Sequence, residues 1–332
     1  MTKTILVPGG AGFIGSHTLL ALQAAGYQPL VLDNLSNGHR DAVLDAPFIQ
    51  GDIRDEALLD QLFQDYPVDA VVHFAAFIEA GESVRDPMKF YDNNVAGSLN
   101  LIRAMVRHGV RKMVFSSTAA VYGDSTDAAL TEDLPKAPIN PYGQTKWAVE
   151  CMLRDTAAAE GLQAIALRYF NAAGADAEGR LGERHDPETH LIPLVLQAAS
   201  GKRPAISIFG TDYDTPDGTC IRDYIHVSDL AAAHVKALQH LFDMDDSNGL
   251  SEAGFYDAFN LGNGQGFSVR EVVNAAKQVT GIDFAVKEEA RRPGDPATLV
   301  ADASKAHDTL GWMPETPALD DMVAHAWRFM NR

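Results

Sequence analysis

The chain has 332 residues, 46% of them hydrophobic, which is enough for a sizeable core and points to one large domain plus a smaller one. A net charge of -18 works against nucleic acid and anionic lipid, which it would repel. Cys151 and Cys220 stand alone with no metal-ligand spacing, no leader-like segment precedes the first strand and no apolar run reaches membrane-spanning length, so the expectation is a cytoplasmic protein with ordinary thiols, no metal and no membrane partner.

Residues 3–7 form a short apolar run, read as a strand, and a glycine-rich turn follows. Residues 14–25 read as a helix stopped at Gly26, and 29–32 as a second strand stopping at Asp33. A strand over 48–50 leads to an acidic helix over 55–65. Strand 69–75, helix 87–108 stopped at Gly109, strand 111–117, helix 141–160 stopped at Gly161 and strand 163–169 complete the first half. Continuous apolar strands between helices predict a parallel sheet covered on both faces. This is the doubly wound α/β arrangement, with ligands outside the carboxyl ends of the strands.

After about Asn171 the rhythm breaks. Residues 172–186 and 211–218 read as loops, with shorter helices and strands between and beyond, and 243–252 reads as an acidic surface connection. The expected division is a Rossmann-type nucleotide-binding domain of residues 1–171, to which about 220–243 return. A smaller mixed α/β substrate domain takes 172–219 and 244–332.

Between the first strand and helix lies Gly9-Gly10-Ala11-Gly12-Phe13-Ile14-Gly15. The spacing of Gly9, Gly12 and Gly15 lets the backbone turn tightly, approach a pyrophosphate and pack the helix on the sheet, while the helix N-terminus offers free N–H groups. A plain turn would need no acid beyond it, but the second strand ends in Asp33. A carboxylate there accepts from a ribose 2′-hydroxyl and repels a 2′-phosphate, which favours NAD over NADP. Asp52-Ile53 stands where an adenine could be held; a helix N-cap at Asp52 is the competing reading.

Tyr142 and Lys146 open the helix over 141–160, one turn apart on the same face. A free tyrosine titrates at about 10, and a neighbouring ammonium together with a positive nicotinamide ring favours the phenolate, which makes the tyrosine a general base. On a solvated helix face the same spacing would mean nothing; here it follows the glycine turn and repeated strand–helix alternation. Ser116-Ser117-Thr118 ends the preceding strand at the ligand-binding edge, where a hydroxyl can share a proton with Tyr142 or instead cap the loop backbone.

With these residues in place, the sequence resembles the extended short-chain dehydrogenase/reductase family over essentially its whole length, and within it the members that invert carbon 4 of nucleotide sugars. The segments that carry the resemblance are GGAGFIGSH, DNLSNG, GDIRD, HFAA, GESV, YDNNV, FSSTAAVYG, PYGQTK, RYFNAAGA, GTCIRDYIHVSDLA, FNLGNG and RRPGD. The resemblance implies that Phe13, Ile14, Asp33, Asn34, Leu35, Ser36, Asn37, Gly38, Asp52, Ile53, Phe74, Ala75, Ala76, Asn94, Lys146 and Phe170 surround NAD, with Ile78 beside them. It implies Thr118 at the sugar and Tyr142 as general base. Asn171, His190, Leu191, Ser207, Ile208, Phe209, Arg222, Arg292 and Asp295 would hold the UDP portion, and Leu299 would wall the sugar. Arg222 and Arg292 supply the cations that a diphosphate needs on an acidic protein; each could otherwise form a surface ion pair. The implied activity is the interconversion of UDP-galactose and UDP-glucose through a 4-keto sugar that swings about its diphosphate link, with tightly bound NAD, in a homodimer joined through two long helices per subunit.

Three positions depart from that pattern. Pro8 replaces the usual threonine before the first glycine, removing an N–H from a strand. Ile78 stands where some members carry a lysine. Leu299 is intermediate between the bulky and small residues found there, which leaves room for N-acetylated sugars. Ala119-Ala120 after Thr118 lack the acid and base that a sugar-nucleotide dehydratase uses, and Asp33 disfavours an NADPH-consuming reductase. Epimerases of UDP-pentoses, UDP-uronates or UDP-N-acetylhexosamines stay open. A non-catalytic nucleotide sensor would be expected to lack the Tyr142/Lys146 pair.

Overall fold

The structure, a computed structural model, describes residues 2–124, 129–248, 254–292 and 296–332. Strand β1 (Thr4–Pro8) leads into the glycine turn and α1 (Phe13–Ala24), followed by β2 (Gln28–Asp33), β3 (Phe48–Gln50), α2 (Glu56–Asp65) and β4 (Val68–His73). Asp55, not Asp52, caps α2, accepting from the Leu58 N–H. Next come α3 (Ala80–Arg85), α4 (Pro87–Phe90), a π-helical turn over Tyr91–Ala96 and α5 (Gly97–Arg107). These replace the single helix expected over 87–108. The widened turn falls where Asn93 and Asn94 are buried and Asn94 is tied by hydrogen bonds to Phe77 and Thr145. β5 (Lys112–Ser116), α6 (Pro141–Glu160) and β6 (Gln163–Tyr169) follow as expected. Asn140 caps α6, Pro141 starts it, and Gly161 ends it in the left-handed conformation.

The second half contains β7 (Asn171–Ala173), α7 (Leu191–Ala199), β8 (Ile206–Phe209), β9 (Ile221–His226), α8 (Val227–Asn248) and β10 (Phe255–Leu261). After these come β11 (Gly266–Ser268), α9 (Val269–Thr280), β12 (Val286–Glu289), β13 (Thr298–Leu299), α10 (Ser304–Leu310) and α11 (Leu319–Met330). The expected loop over 172–186 therefore begins as a strand. The expected connection over 243–252 is helical through Asn248, and its residues 249–252 lie outside the described residues.

A seven-stranded parallel sheet runs β10-β6-β5-β4-β1-β2-β3. β10, expected in the second unit, is its outer strand, because Phe255–Leu261 pairs in register along the whole of β6. Side chains alternate across the sheet. Ile5, Val7, Val72 and Ile165 pack with α1 and α8, while Leu6, Val71, Met113 and Ala164 pack with α2, α5 and α6. The chain winds outward from β1 to β3 and returns to the other side at β4, so the order reverses between β1 and β4, the place where such sheets open a ligand crevice. A small sheet of β7, β9, β11 and β13, with β8 paired to β12, lies beyond the crevice, and α7, α9 and α11 share a separate apolar cluster. Among the described residues, no helix is long and apolar enough to cross a membrane.

Pro8 is accommodated at the end of β1. The ladder to β4 stops at Leu6–Val71, so the missing N–H breaks no rung there. The Pro8 carbonyl accepts from the N–H groups of both Phe74 and Ala75.

Candidate active site

Every loop that leaves the carboxyl end of a central strand meets at one cleft. Gly9, Gly12, Phe13, Ile14 and Gly15 line it after β1, and Asp33, Asn34, Ser36, Asn37 and Gly38 line it after β2. Asp52 and Ile53 follow β3, and Phe74, Ala75, Ala76 and Ile78 follow β4. Ser116 and Thr118 come from β5, Tyr142 and Lys146 from α6, and Phe170 and Asn171 from the end of β6.

The glycines are required by space. A Cβ on Gly9, whose φ is +81°, would stand 2.5 Å from the Ala75 nitrogen, and one on Gly15 would stand 2.3 Å from the Gly9 carbonyl oxygen. At Gly12 only the Gly9 oxygen, at 3.4 Å, lies within reach, so that face of the turn is open to the cleft. Helix α1 begins there with no side-chain cap and no acid in its first turn, leaving its first N–H groups for a phosphate. Asp33 closes the cradle. It accepts from the N–H groups of Ala11 at 3.0 Å and Leu35 at 2.8 Å, and burial raises its carboxyl above the usual range, against those two bonds. Asp52 is held by Arg54 and accepts from the Asn34 amide at 2.9 Å; chiefly through Arg54, its carboxyl is pulled down to about 2. An uncapped helix start over a side-chain-free turn, with a carboxylate beside it, fits a dinucleotide.

Two residues expected at the cofactor do not line the cleft. Leu35, at φ +60°, turns into the apolar cluster beneath α1. Asn94 is spent on the wall behind: its amide exchanges hydrogen bonds with the Phe77 backbone and donates to Thr145 Oγ1, while Asn93 faces the cleft.

Tyr142 and Lys146 both face the cleft, but burial governs them. The phenol is pushed up to about 12 by desolvation, against the neighbouring Thr118 hydroxyl, which lowers it. Desolvation pulls the Lys146 ammonium down to about 7, against the Glu150 carboxylate, which raises it. Lys146 Nζ donates to the Ser116 carbonyl at 2.8 Å and sits over the Phe115 ring. Burial thus sets the phenol against ionisation, and the neighbouring ammonium does not offset it. Thr118 is buried and also accepts from the Ala120 N–H at 3.2 Å, so its hydroxyl serves both the loop and the tyrosine.

Behind this pair lies a buried network that the sequence did not announce. Glu150, one turn beyond Lys146, forms a two-pronged ion pair with Arg168 of β6 and accepts from Ser117 Oγ and the Tyr256 hydroxyl. Arg168 also donates to the Tyr122 hydroxyl, which donates to Asn260. These bonds fix α6 against β5, β6 and β10, and so fix where Tyr142 and Lys146 point. An apolar-looking helix face with one glutamate, and one arginine within an apolar strand, are the only sequence signals.

The residues expected at UDP are less gathered. Asn171 and His190 line the cleft. Leu191 begins α7, and Ser207, Ile208 and Phe209 lie on β8. The Arg292 guanidinium stacks over the Phe209 ring at 3.9 Å, and Arg222 pairs in register with Leu299 while donating to the Pro296 carbonyl. Leu299 packs in a small apolar cluster with Phe170. Among the described residues from Leu191 to Leu299, none lines the cleft itself. Asp295 lies outside the described residues. Outside the cysteines, Glu183, His185, Glu188 and His190 bring ligand-type atoms within 4.8 Å of one another.

Residues 5–262 match the NAD dependent epimerase/dehydratase family. The UDP-glucose 4-epimerase of Halalkalibacterium halodurans is 53% identical over 325 residues, 98% of this chain and 95% of that one. The UDP-glucose 4-epimerase of Rhizobium meliloti is 51% identical over 330 residues, 99% and 98% of the two chains. Among solved structures, the UDP-glucose 4-epimerase of Brucella ovis in complex with NAD superposes with a TM-score of 0.93 at 48% identity, covering 98% of each chain.

Proposed function

The chain belongs to the NAD dependent epimerase/dehydratase family, and on that premise we propose that it interconverts UDP-galactose and UDP-glucose at carbon 4, through a bound 4-keto sugar, with NAD held in the cleft. It is an NAD-dependent nucleotide-sugar 4-epimerase. The observation that carries the reading is the meeting of Tyr142, Lys146 and Thr118 with the Gly9–Gly15 turn and Asp33 in one cleft, where Ala119-Ala120 supply no acid or base for elimination. NAD, when bound, supplies the positive ring that takes hydride from carbon 4 and gives it back.

The chain's own groups do the rest. The Gly12 turn and the start of α1 receive the pyrophosphate, and Asp33 receives the adenosine ribose and disfavours a 2′-phosphate. Lys146 and Thr118 orient the Tyr142 hydroxyl at the sugar's 4-hydroxyl. Tyr142 takes that proton when a second positive charge stands beside its phenol, and returns it on the other face of the sugar. Asn171, His190, Leu191, Ser207, Ile208, Phe209, Arg222, Arg292 and Asp295 are assigned to UDP, with the guanidinium groups meeting the diphosphate. Strong contacts on UDP and weak ones on the hexose leave the sugar free to turn.

The same reading includes a homodimer through α5 and α6. Exposed Val84, Met88 and Tyr91, on segments that pack against α6, support it. It also includes a nucleotide unit of residues 1–171 joined by α8 and β10, and a substrate unit made of most of the remainder. Cys151 and Cys220, neither of them in a disulfide, fit a cytoplasmic setting. Purified protein incubated with UDP-galactose and no added NAD is expected to form UDP-glucose. Failure to form it even with NAD supplied overturns the reading.

A further inference from the structure

The loop that enters α7 carries a Glu-x-His-x-x-Glu-x-His spacing; Glu183, His185 and His190 also line the cleft, but the proton chemistry there uses none of the four. Glu183 Oε1 lies 2.6 Å from His190 Nδ1 and 3.2 Å from His185 Nδ1; Glu188 Oε1 lies 3.6 Å and 3.8 Å from the same two nitrogens. Four ligands on bonds of about 2.0–2.1 Å at the corners of a tetrahedron stand about 3.3 Å apart; the four nitrogen–oxygen edges bracket that value, and all four ligand atoms lie within 4.8 Å of one another. Both Nδ1 atoms are shut off from water and turn toward the two carboxylates, and neither makes a well-aligned hydrogen bond there. Desolvation disfavours charge on the His185 and His190 imidazoles, but the Glu183 and Glu188 carboxylates, 6% and 5% exposed, outweigh it and hold both above their usual range, so the cluster draws positive charge.

We propose that Glu183, His185, Glu188 and His190 hold a divalent transition-metal ion of the zinc class, in a site of two imidazole nitrogens and two carboxylate oxygens. Imidazole with carboxylate and no thiolate, at tetrahedral spacing, is a donor set that suits zinc. All four positions are filled by the protein, so the site is structural, with no open corner for a reacting water. Glu188 Oε1 also accepts from the N–H groups of Thr189 and His190, at 2.7 and 2.9 Å, which orients it toward the cluster. The ion fastens a strap across the cleft. Arg184, between two ligands, pairs with Asp41 at 2.8 Å, and its carbonyl accepts from His39 Nε2, so the loop is tied to the segment just beyond Asn37 and Gly38. His190, assigned above to UDP, turns its ring nitrogen to the ion and leaves its other edge and backbone to the cleft.

The test uses the full-length protein without an affinity tag. Wild-type protein, treated with chelator and returned to buffer, is expected to take up stoichiometric Zn²⁺ by elemental analysis with a rise in melting temperature. With Co²⁺ it is expected to show the intense visible bands of a tetrahedral site. His185→Ala and Glu188→Gln variants that retain wild-type circular dichroism lose both responses. No stoichiometric uptake and no cobalt bands in folded wild-type protein overturn the proposal, as does unchanged uptake in both variants. Either result leaves the epimerase reading standing, since that is scored by product formation.

Discussion

Tyr142 keeps its proton in the bare cleft because burial costs the phenolate more than the Thr118 hydroxyl returns to it. A chemical role for this residue is tested by Tyr142→Phe, which is expected to lower turnover by about 10²–10⁴-fold while NAD content, read from the absorbance of denatured protein, stays at the wild-type level. Lys146 is displaced the other way. Unfolded it titrates near about 10.4, and folded at about 7, so between these values the unfolded chain binds the extra proton. Stability therefore rises as pH climbs from about 7 toward about 10.4, and the penalty is full below about 7. Nucleotide-free Lys146→Met should melt above wild type at pH 6, by an amount on the order of a few kcal/mol that shrinks toward pH 10, although the variant is inactive. A lower melting temperature at pH 6 would contradict that assignment. The Tyr142/Lys146 spacing was legible in the sequence because one helical turn is a local property. Their protonation was not, since it depends on how deeply the fold buries them.

At the scale of elements, α6 is the lever that aims both groups. Its bounds were legible from Asn140, Pro141 and Gly161, because caps are written in adjacent residues. What holds it in place was not. Glu150 and Arg168 are 18 residues apart on different elements, and the sequence alone does not show that each buries the other's charge. Breaking a buried pair by removing one partner leaves an uncompensated charge, so Glu150→Gln is expected to cost about 3–5 kcal/mol in chemical denaturation. Asn140→Ala, which removes only the cap, is expected to cost about 1 kcal/mol. β10 escaped the sequence reading for a related reason: a strand's sheet is chosen by a partner far along the chain, here β6. The Glu183–His190 cluster escaped because attention to cysteine spacing overlooks sites built from histidine and glutamate.

For the whole molecule, the parallel sheet followed from the alternation of apolar strands and helices, while the reversal of strand order between β1 and β4, which sets the cleft in place, depends on pairing between distant segments. Leucine at 299 is intermediate between the bulky and small residues that similar sequences carry there, so UDP-N-acetylglucosamine is expected to turn over more slowly than UDP-galactose but measurably. No product at concentrations where UDP-galactose saturates would sink that expectation. Light scattering should report two chains per particle at micromolar concentration, and a monomer there would remove the homodimer from the account. The central claim is that a hydride is borrowed from carbon 4 and returned to it within one bound complex. The most direct measurement is the fate of deuterium in UDP-galactose labelled at carbon 4 and converted in ordinary water with no added cofactor. UDP-glucose that retains the label at carbon 4 is expected; UDP-glucose that has lost it to solvent would overturn return of the same hydride.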